Sequence, residues 1–279
     1  MSAGRAIRAA LVQMTSGDDP GANLAATLAL LDAARGADLI LTPEVTNCVS
    51  GSRARQAEVL RHEAEDPTLA AIRDWARAAG TPVLIGSLAL KAEDDPRFVN
   101  RSFLIGADGG IEARYDKIHM FDADPAAGES YRESAGYRPG ERAVLAEAGG
   151  LRIGMTICYD LRFAALYRVL AQAGAEVLAV PSAFSRPTGA AHWEVLLRSR
   201  AIETGCWVLA PAQTGTHPTS TDRVRTTWGR SLAVAPWGEV VLDMGEAPGV
   251  ATVEIDPAAV AEARGRVPSL GHDREWSGP

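Results

Sequence analysis

Residues 151–182, LRIGMTICYDLRFAALYRVLAQAGAEVLAVPS, hold the pattern that decides the fold. Leu151 to Ile157 is an apolar run of strand length that stops at Cys158. Phe163 to Ala173 reads as a helix and Glu176 to Val180 as a second apolar strand. Strand-length apolar runs separated by helical segments are the signature of an α/β architecture. The alternation continues C-terminally, with a helix over Ala191 to Thr204 and a strand over Cys206 to Pro211. Gly229 to Ala235 and Glu239 to Leu242 flank Pro236-Trp237-Gly238 as a hairpin. Val250 to Ile255 then predicts a last strand, Pro257 to Arg264 a short helix, and the chain from about 265 an extended tail.

The N-terminal half repeats the theme. Ile7 to Met14 reads as a buried strand, and Pro20 to Arg35 as a helix with Leu24, Leu28 and Leu31 on one face. Asp38 to Thr42 is a second strand, ending at Pro43-Glu44; Pro67 to Ala79 is a helix and Val83 to Ser87 a third strand. Asn100 to Ile105 and Ile111 to Tyr115 flank Asp108-Gly109-Gly110, a hairpin signal. Lys117 to Arg142 is a long polar stretch, which predicts a functional or disordered loop. No composition break marks a linker, so residues 1–279 are expected to form one α/β domain of two similar halves that meet through their sheets.

Bulk properties narrow the function. The chain has 279 residues, 47% hydrophobic and 23% charged, which suits a globular protein with a sizeable core. Its 28 basic and 35 acidic residues give a net charge of −7, which argues against a nucleic-acid partner. The N-terminal apolar run is too short for a secretory leader, and no stretch reaches membrane length. Three cysteines, Cys48, Cys158 and Cys206, make no disulfide framework, so a cytoplasmic setting is expected. The five histidines, His62, His119, His192, His217 and His272, are dispersed and lack metal-ligand spacing, so neither metal nor cofactor is expected.

Three strand-end segments each deliver a reactive side chain: LILTPE ends in Glu44, ARYDKIH contains Lys117, and RIGMTIC ends in Cys158. Ligands of α/β sheets bind beyond the carboxyl ends of strands, so the three could converge on one pocket. Singly, each has an ordinary reading: a core thiol, a helix-capping acid, a surface lysine. Together they make a nucleophile, a base that takes its proton, and a cation for a developing oxyanion.

The segment GMTICYDLRF around Cys158 resembles the nucleophile motif of the nitrilase superfamily of carbon–nitrogen hydrolases. TPE at Glu44 and YDKIHMFD at Lys117 resemble its two other signatures. PSAFSRPTGAAHWEVLLRSRAIETGCWVLAPAQTG is similar to the branch that contains ω-amidases and deaminated glutathione amidases, and PWGEVV and RGRVPSLGHDR resemble the late hairpin and tail. The resemblance implies a four-layer α-β-β-α sandwich, a homodimer or higher homo-oligomer, and no cofactor. It implies Cys158 as nucleophile, Glu44 as general base, and Lys117 with the backbone N–H of Tyr159 as oxyanion donors. Glu133, in RESAGYRPG, matches a second carboxylate that orients Lys117; as a residue alone it reads as a solvated loop acid.

The implied reaction is hydrolysis of a small carboxylated amide to acid and ammonia through a cysteine thioester. The expected substrate is deaminated glutathione or an α-keto acid ω-amide. The alternatives are an N-carbamoyl amino acid hydrolase, a nitrilase, a catalytically silent binding scaffold, or a redox-sensing thiol. Arg162 could hold a substrate carboxylate in a two-point contact, or form an ion pair with Asp160 or Glu194. Phe184 and Thr188 lie where they could line the pocket or simply pack a loop. EVTNCVSGSR after Glu44 and the insert THPTSTDRVRTT fall where substrate loops would sit.

Overall fold

A computed structural model describes residues 6–220 and 224–278. The first five residues, over which the N-terminal leader reading begins, lie outside the described residues. So do Pro279 and Thr221-Asp222-Arg223 of the insert.

Two six-stranded sheets carry the fold. The first half runs β1 (Ile7–Gln13), α1 (Pro20–Ala33), β2 (Leu39–Leu41), α2 (Arg53–Val59), α3 (Pro67–Ala79), β3 (Val83–Lys91), β4 (Phe98–Ile105) and β5 (Ile111–Asp116). A small hairpin follows, β6 (Asp122–Ala126) and β7 (Glu129–Arg132). The second half runs β8 (Val144–Ala148), β9 (Leu151–Met155), α4 (Ala164–Gln172), β10 (Val177–Ala179), α5 (Arg186–Thr204) and β11 (Trp207–Ala210). A second small hairpin, β12 (Thr214–His217) and β13 (Arg225–Trp228), precedes β14 (Leu232–Val234), β15 (Val240–Asp243), β16 (Gly249–Ile255) and α6 (Ala258–Arg266).

The sheets are built alike. The first has the order β16-β1-β2-β3-β4-β5 and the second β15-β14-β11-β10-β9-β8. In each, three central strands are parallel and the outer ones antiparallel. Strand periodicity then assigns the faces. Ala9, Leu11, Leu39, Leu41, Leu84 and Leu104 of the first sheet share one apolar core with residues of the second sheet, such as Ile153, Met155 and Val177. The alternate residues Ala10, Val12, Ile40, Val83 and Phe103 pack instead against Leu31 of α1 and Leu69, Ile72 and Trp75 of α3. Beyond the second sheet, Tyr167 and Leu170 of α4 and Trp193 and Leu197 of α5 join the central core. The layers are therefore α-β-β-α, as the resemblance implied.

Helix starts obey local chemistry. Asp19 caps α1 by accepting from the N–H of Gly21 at 2.9 Å, and Asp66 caps α3 by accepting from Leu69 at 2.8 Å. A proline follows each cap, where its missing N–H costs nothing. The same proline effect moves the start of α5: it begins at Arg186, with Pro187 in the first turn, and not at Ala191. Four further elements escaped the sequence reading: α2, β8 and the two small hairpins. The Lys117–Arg142 stretch is therefore only partly loop, because β6, β7 and a 3₁₀ turn at Glu133–Ala135 lie within it. Among the described residues no helix is long and apolar enough to cross a membrane.

The topology brings the ends of β2, β5, β9, β10 and β11 to one place. The segments after β1 and β11 touch there, through a bridge between Met14 and Gln213. Glu44, Lys117 and Cys158 follow β2, β5 and β9 within three residues of their ends.

Candidate active site

Cys158 sits on a sharp turn between β9 and a 3₁₀ turn over Cys158–Arg162. Its φ of 50° lies in the left-handed region, which non-glycine residues seldom occupy. Val45, directly after Glu44, has a φ of 48°. Such backbone persists only where surrounding contacts over-determine it, and it clusters at functional sites. The contacts are visible here. The Cys158 N–H donates to Pro181 O at 3.0 Å. Ser87 holds the Glu44 turn: the Val45 N–H donates to Ser87 Oγ at 2.8 Å, and the Thr46 N–H to Ser87 O at 2.9 Å. Gly86 makes that approach possible, since a Cβ there would lie 2.0 Å from Thr42 O and 2.5 Å from Pro181 Cβ.

Asp160 locks two of the strand ends together. It is fully buried, and its carboxylate accepts from the Ile157 N–H (2.9 Å), the Tyr115 hydroxyl (2.7 Å) and the His119 N–H (3.0 Å). Its Oδ1 also lies 2.7 Å from His119 Nδ1. One carboxylate thus ties the residue before the nucleophile to residues on either side of Lys117.

Lys117 Nζ donates to Glu44 Oε1 at 2.9 Å and to both Glu133 oxygens at 2.9 Å. Asn100 Nδ2 donates to the same Glu44 oxygen at 2.9 Å, and Phe121 N–H to Glu133 Oε2 at 2.6 Å. The Cys158 thiol and the Glu44 carboxylate line the same cavity and act on each other electrostatically, and Ala183 lines it beside them. All three central groups are buried: Lys117 is 2% exposed, Glu44 4% and Cys158 8%.

Burial and charge set the protonation states. Burial is the strongest single influence on Glu44 and opposes its ionisation, but the Lys117 charge and hydrogen bond, the Cys158 side chain and the Arg225 charge together outweigh it and hold the carboxyl below its ordinary value. Burial likewise opposes the Lys117 charge, and the two carboxylates overcome it, so the ammonium is held well above its usual range. Burial and the Glu44 carboxylate push the Cys158 thiol well up. At rest the site is carboxylate, ammonium and neutral thiol. A low-pKa thiolate of the redox-sensor kind is not what this geometry makes.

These groups open on a cavity of about 410 Å³, in the range of small-ligand sites. The structure brings Glu44, Lys117, Glu133 and Cys158 together on it. Tyr159 holds the second position of the 3₁₀ turn, where N–H groups have no partner within the turn. Arg162, Phe184 and Thr188 are placed elsewhere. Arg162 pairs with neither Asp160, whose carboxylate is taken, nor Glu194, which faces Arg198 at 3.6 Å. Its guanidinium stacks over Tyr159 and Phe184 and approaches His192 Nδ1 at 3.3 Å. Phe184 packs on Trp193, ring centroids 4.8 Å apart. The Thr188 hydroxyl bonds Ser185 Oγ at 2.8 Å in the first turn of α5. None of the three lines the cavity.

Sequence reasoning missed Asn100, Asp160 and two cavity arginines, Arg53 and Arg225. Asn100 opens the expected Asn100–Ile105 strand, but nothing in its neighbours marks it as different. Asp160 was visible as a polar residue inside the nucleophile motif, two positions from the thiol. Among the described residues, no cluster of His, Cys, Asp and Glu is placed to hold a metal.

Comparison with known proteins agrees with this geometry. Residues 8–265 match the carbon-nitrogen hydrolase family. The chain is 37% identical over 268 residues to a deaminated glutathione amidase of Yersinia enterocolitica, covering 95% of this chain and 92% of that protein. It is 36% identical over 273 residues to the Mus musculus deaminated glutathione amidase, covering 95% and 82%. Among solved structures, the Caenorhabditis elegans NitFhit protein superposes with a TM-score of 0.89 at 33% identity, over 98% of this chain and 66% of that one. Saccharomyces cerevisiae Nit3, of the nitrilase superfamily, superposes with a TM-score of 0.83 at 25% identity, over 95% and 96%. With its family model spanning nearly the whole chain and its strand-end triad assembled in one cavity, this protein belongs to the carbon-nitrogen hydrolase family and is a carbon–nitrogen hydrolase.

Proposed function

We propose that the protein hydrolyses a small carboxylated amide of the deaminated glutathione type, with Cys158 as nucleophile and Glu44 as general base. The observation that carries the reading is the Lys117 ammonium, gripped by Glu44 and Glu133 beside a buried neutral thiol. A neutral thiol needs a base at the moment of attack, and the Glu44 carboxylate beside it on the cavity is that base.

Glu44 takes the thiol proton as sulfur bonds to the amide carbon. The carbonyl electron pair moves to oxygen, and Lys117 Nζ and the Tyr159 N–H stabilise that oxyanion; each such donor is typically worth about 2.7–4 kcal/mol. The oxyanion collapses, the C–N bond breaks, and Glu44 hands its proton to the departing nitrogen. Glu44 then takes a proton from water, which attacks the thioester; the acid leaves and the thiol is restored. Glu133 holds Lys117 in place throughout. A primary amide releases ammonia in this sequence. Deaminated glutathione is a secondary amide at its γ-carbonyl, so its leaving group is the amine of a dipeptide and not ammonia.

The substrate class is supported by the relatives named deaminated glutathione amidase and by a cavity richer in cations than in anions. A cytoplasmic setting belongs to the same reading, since Cys48, Cys158 and Cys206 are all free thiols. The test offers deaminated glutathione, an α-keto acid ω-amide, a carbamoyl amino acid and a nitrile to purified protein. Acid, amine and ammonia are measured, and the quenched protein is weighed. We expect turnover of the first two, and an acyl adduct on the Cys158 peptide that accumulates with slow substrates. Cys158→Ala should form no adduct, and Glu44→Gln should react at least a hundredfold more slowly, roughly the scale of lost general-base help. An adduct on Cys48 or Cys206, or full turnover by Cys158→Ala, would refute the assignment.

A further inference from the structure

Two guanidinium groups on the cavity pair with no carboxylate of the protein among the described residues. The lining carries four cations, Lys117, Arg53, Arg132 and Arg225, against two anions, Glu44 and Glu133. Lys117 answers both carboxylates, and Arg132 is paired with Asp124 at 2.9 Å. Among the described residues, Arg53 and Arg225 have no acidic partner.

Arg225 stands on β13, close to the reacting groups. Its Nη2 reaches Ala183 O only at 3.5 Å, and Ala183 lines the cavity with Cys158. Its guanidinium lies over the Tyr131 ring, 5.5 Å from the centroid. Its Nε is buried with no hydrogen-bond partner. Buried donors are almost always paired, so the protein itself leaves this guanidinium short of acceptors, on a residue that lines the cavity. Arg53 opens α2 and lies further out, exposed at the surface end of the cavity. It is nonetheless positioned. Its Nη2 donates to Arg132 O at 3.1 Å, and its guanidinium packs over Gly136.

We infer that Arg225 and Arg53 are the carboxylate-recognition groups of this cavity, Arg225 for a carboxylate near the reacting carbonyl and Arg53 for a second one toward the mouth. The inference rests on the amide-hydrolase reading of the same site and specifies its substrate class, an amide that carries two carboxylates. Guanidinium suits the task because its planar fork meets a carboxylate at two points and never loses its charge.

The test compares three amides on wild-type protein, Arg225→Gln, Arg225→Lys, Arg53→Gln and Arg162→Gln: deaminated glutathione with two carboxylates, an α-keto acid ω-amide with one, and a neutral aliphatic amide. We expect Arg225→Gln to lower the preference for carboxylated over neutral amide in kcat/KM by roughly ten- to a hundredfold, mostly through KM. Arg225→Lys should recover part of that preference. Arg53→Gln should lower the preference for two carboxylates over one, and Arg162→Gln should change neither ratio. Equal losses on all three amides, or a preference that follows Arg162, would overturn the inference. A second measurement is independent of turnover: calorimetric binding of glutarate to wild-type protein and to Arg225→Gln. Wild-type binding that Arg225→Gln weakens supports the subsite even if no tested amide is hydrolysed. Absence of glutarate binding by an enzyme that does form the Cys158 adduct refutes the subsite and leaves the catalytic reading standing.

Discussion

Cys158 keeps its proton until a substrate is present, and that fixes the pH behaviour. The Glu44 carboxyl lies below its ordinary value, so it is ionised as the base at neutral pH and lost only in acid. Lys117 lies well above its ordinary value and stays charged into alkali. The thiol lies well above its free value of about 8.5, so no rise in activity should accompany thiol ionisation. Plotted against pH, kcat/KM should therefore be flat from about pH 6 to about pH 9, with its acid limb below the ordinary glutamate value of about 4.3. A limb rising through about pH 8 to 9 would mean that a thiolate is the resting nucleophile, and the Glu44 assignment would fail. At this scale the sequence was informative where a reactive side chain closes an apolar strand, as at Glu44, Lys117 and Cys158. It was silent on Asn100 and Arg225, because their roles depend on which side chains the fold sets opposite them.

The long strands and capped helices were legible because an apolar face and a cap are local properties. The β12–β13 hairpin was not, because Thr214–His217 and Arg225–Trp228 lack an apolar alternation that would mark them. Its stability comes from contacts across the molecule, and His217 is their centre. His217 is buried; its Nδ1–H donates to Ser16 O at 2.7 Å, and its Nε2 lies 2.7 Å from the Thr227 hydroxyl, from which it accepts. Burial, with Arg225 nearby, lowers its pKa to about 4. An unfolded histidine titrates near 6.5. The unfolded chain therefore takes up the proton first. The contribution is present above about pH 6.5 and is lost as pH falls toward about 4, to the order of 3 kcal/mol over the whole window. His217→Gln should melt lower at neutral pH but lose less stability between about pH 7 and about pH 4.5 than wild type. Equal losses of unfolding free energy between the two pH values in wild type and His217→Gln, measured by denaturant melts, would show that this imidazole does not titrate with folding. Since β13 carries Arg225 into the cavity, the same protonation should also weaken carboxylate selectivity in acid.

The active site is the seam of the whole molecule, and Gln213 shows why. Glu44 comes from the first sheet, Cys158 from the second, and Lys117 from the edge strand β5, so catalysis needs the two halves in register. Gln213, fully buried after β11, accepts the Ser16 N–H at 3.0 Å and donates to Ser16 Oγ at 2.8 Å and Glu44 O at 3.0 Å. Gln13 answers from the other half, accepting from the Ser231 N–H and hydroxyl at 2.8 and 2.9 Å. The central core is continuous between the sheets, so parting them would expose the inner apolar face of each to water. Heat should therefore unfold the chain in one transition. Far-ultraviolet dichroism should coincide with tryptophan fluorescence, since Trp75 reports the α3 layer and Trp193 the α5 layer. Gln213→Ala leaves the Ser16 N–H and the Glu44 carbonyl unpaired in the interior, at about 1–3 kcal/mol for each such group. It should lower the melting temperature while the transition stays single. It should also lower kcat more than KM, because the carbonyl it releases belongs to the base. A variant that melts in two steps would mean that the sheets are separable units. One that loses stability but keeps kcat would mean that the Glu44 turn is held by Ser87 alone.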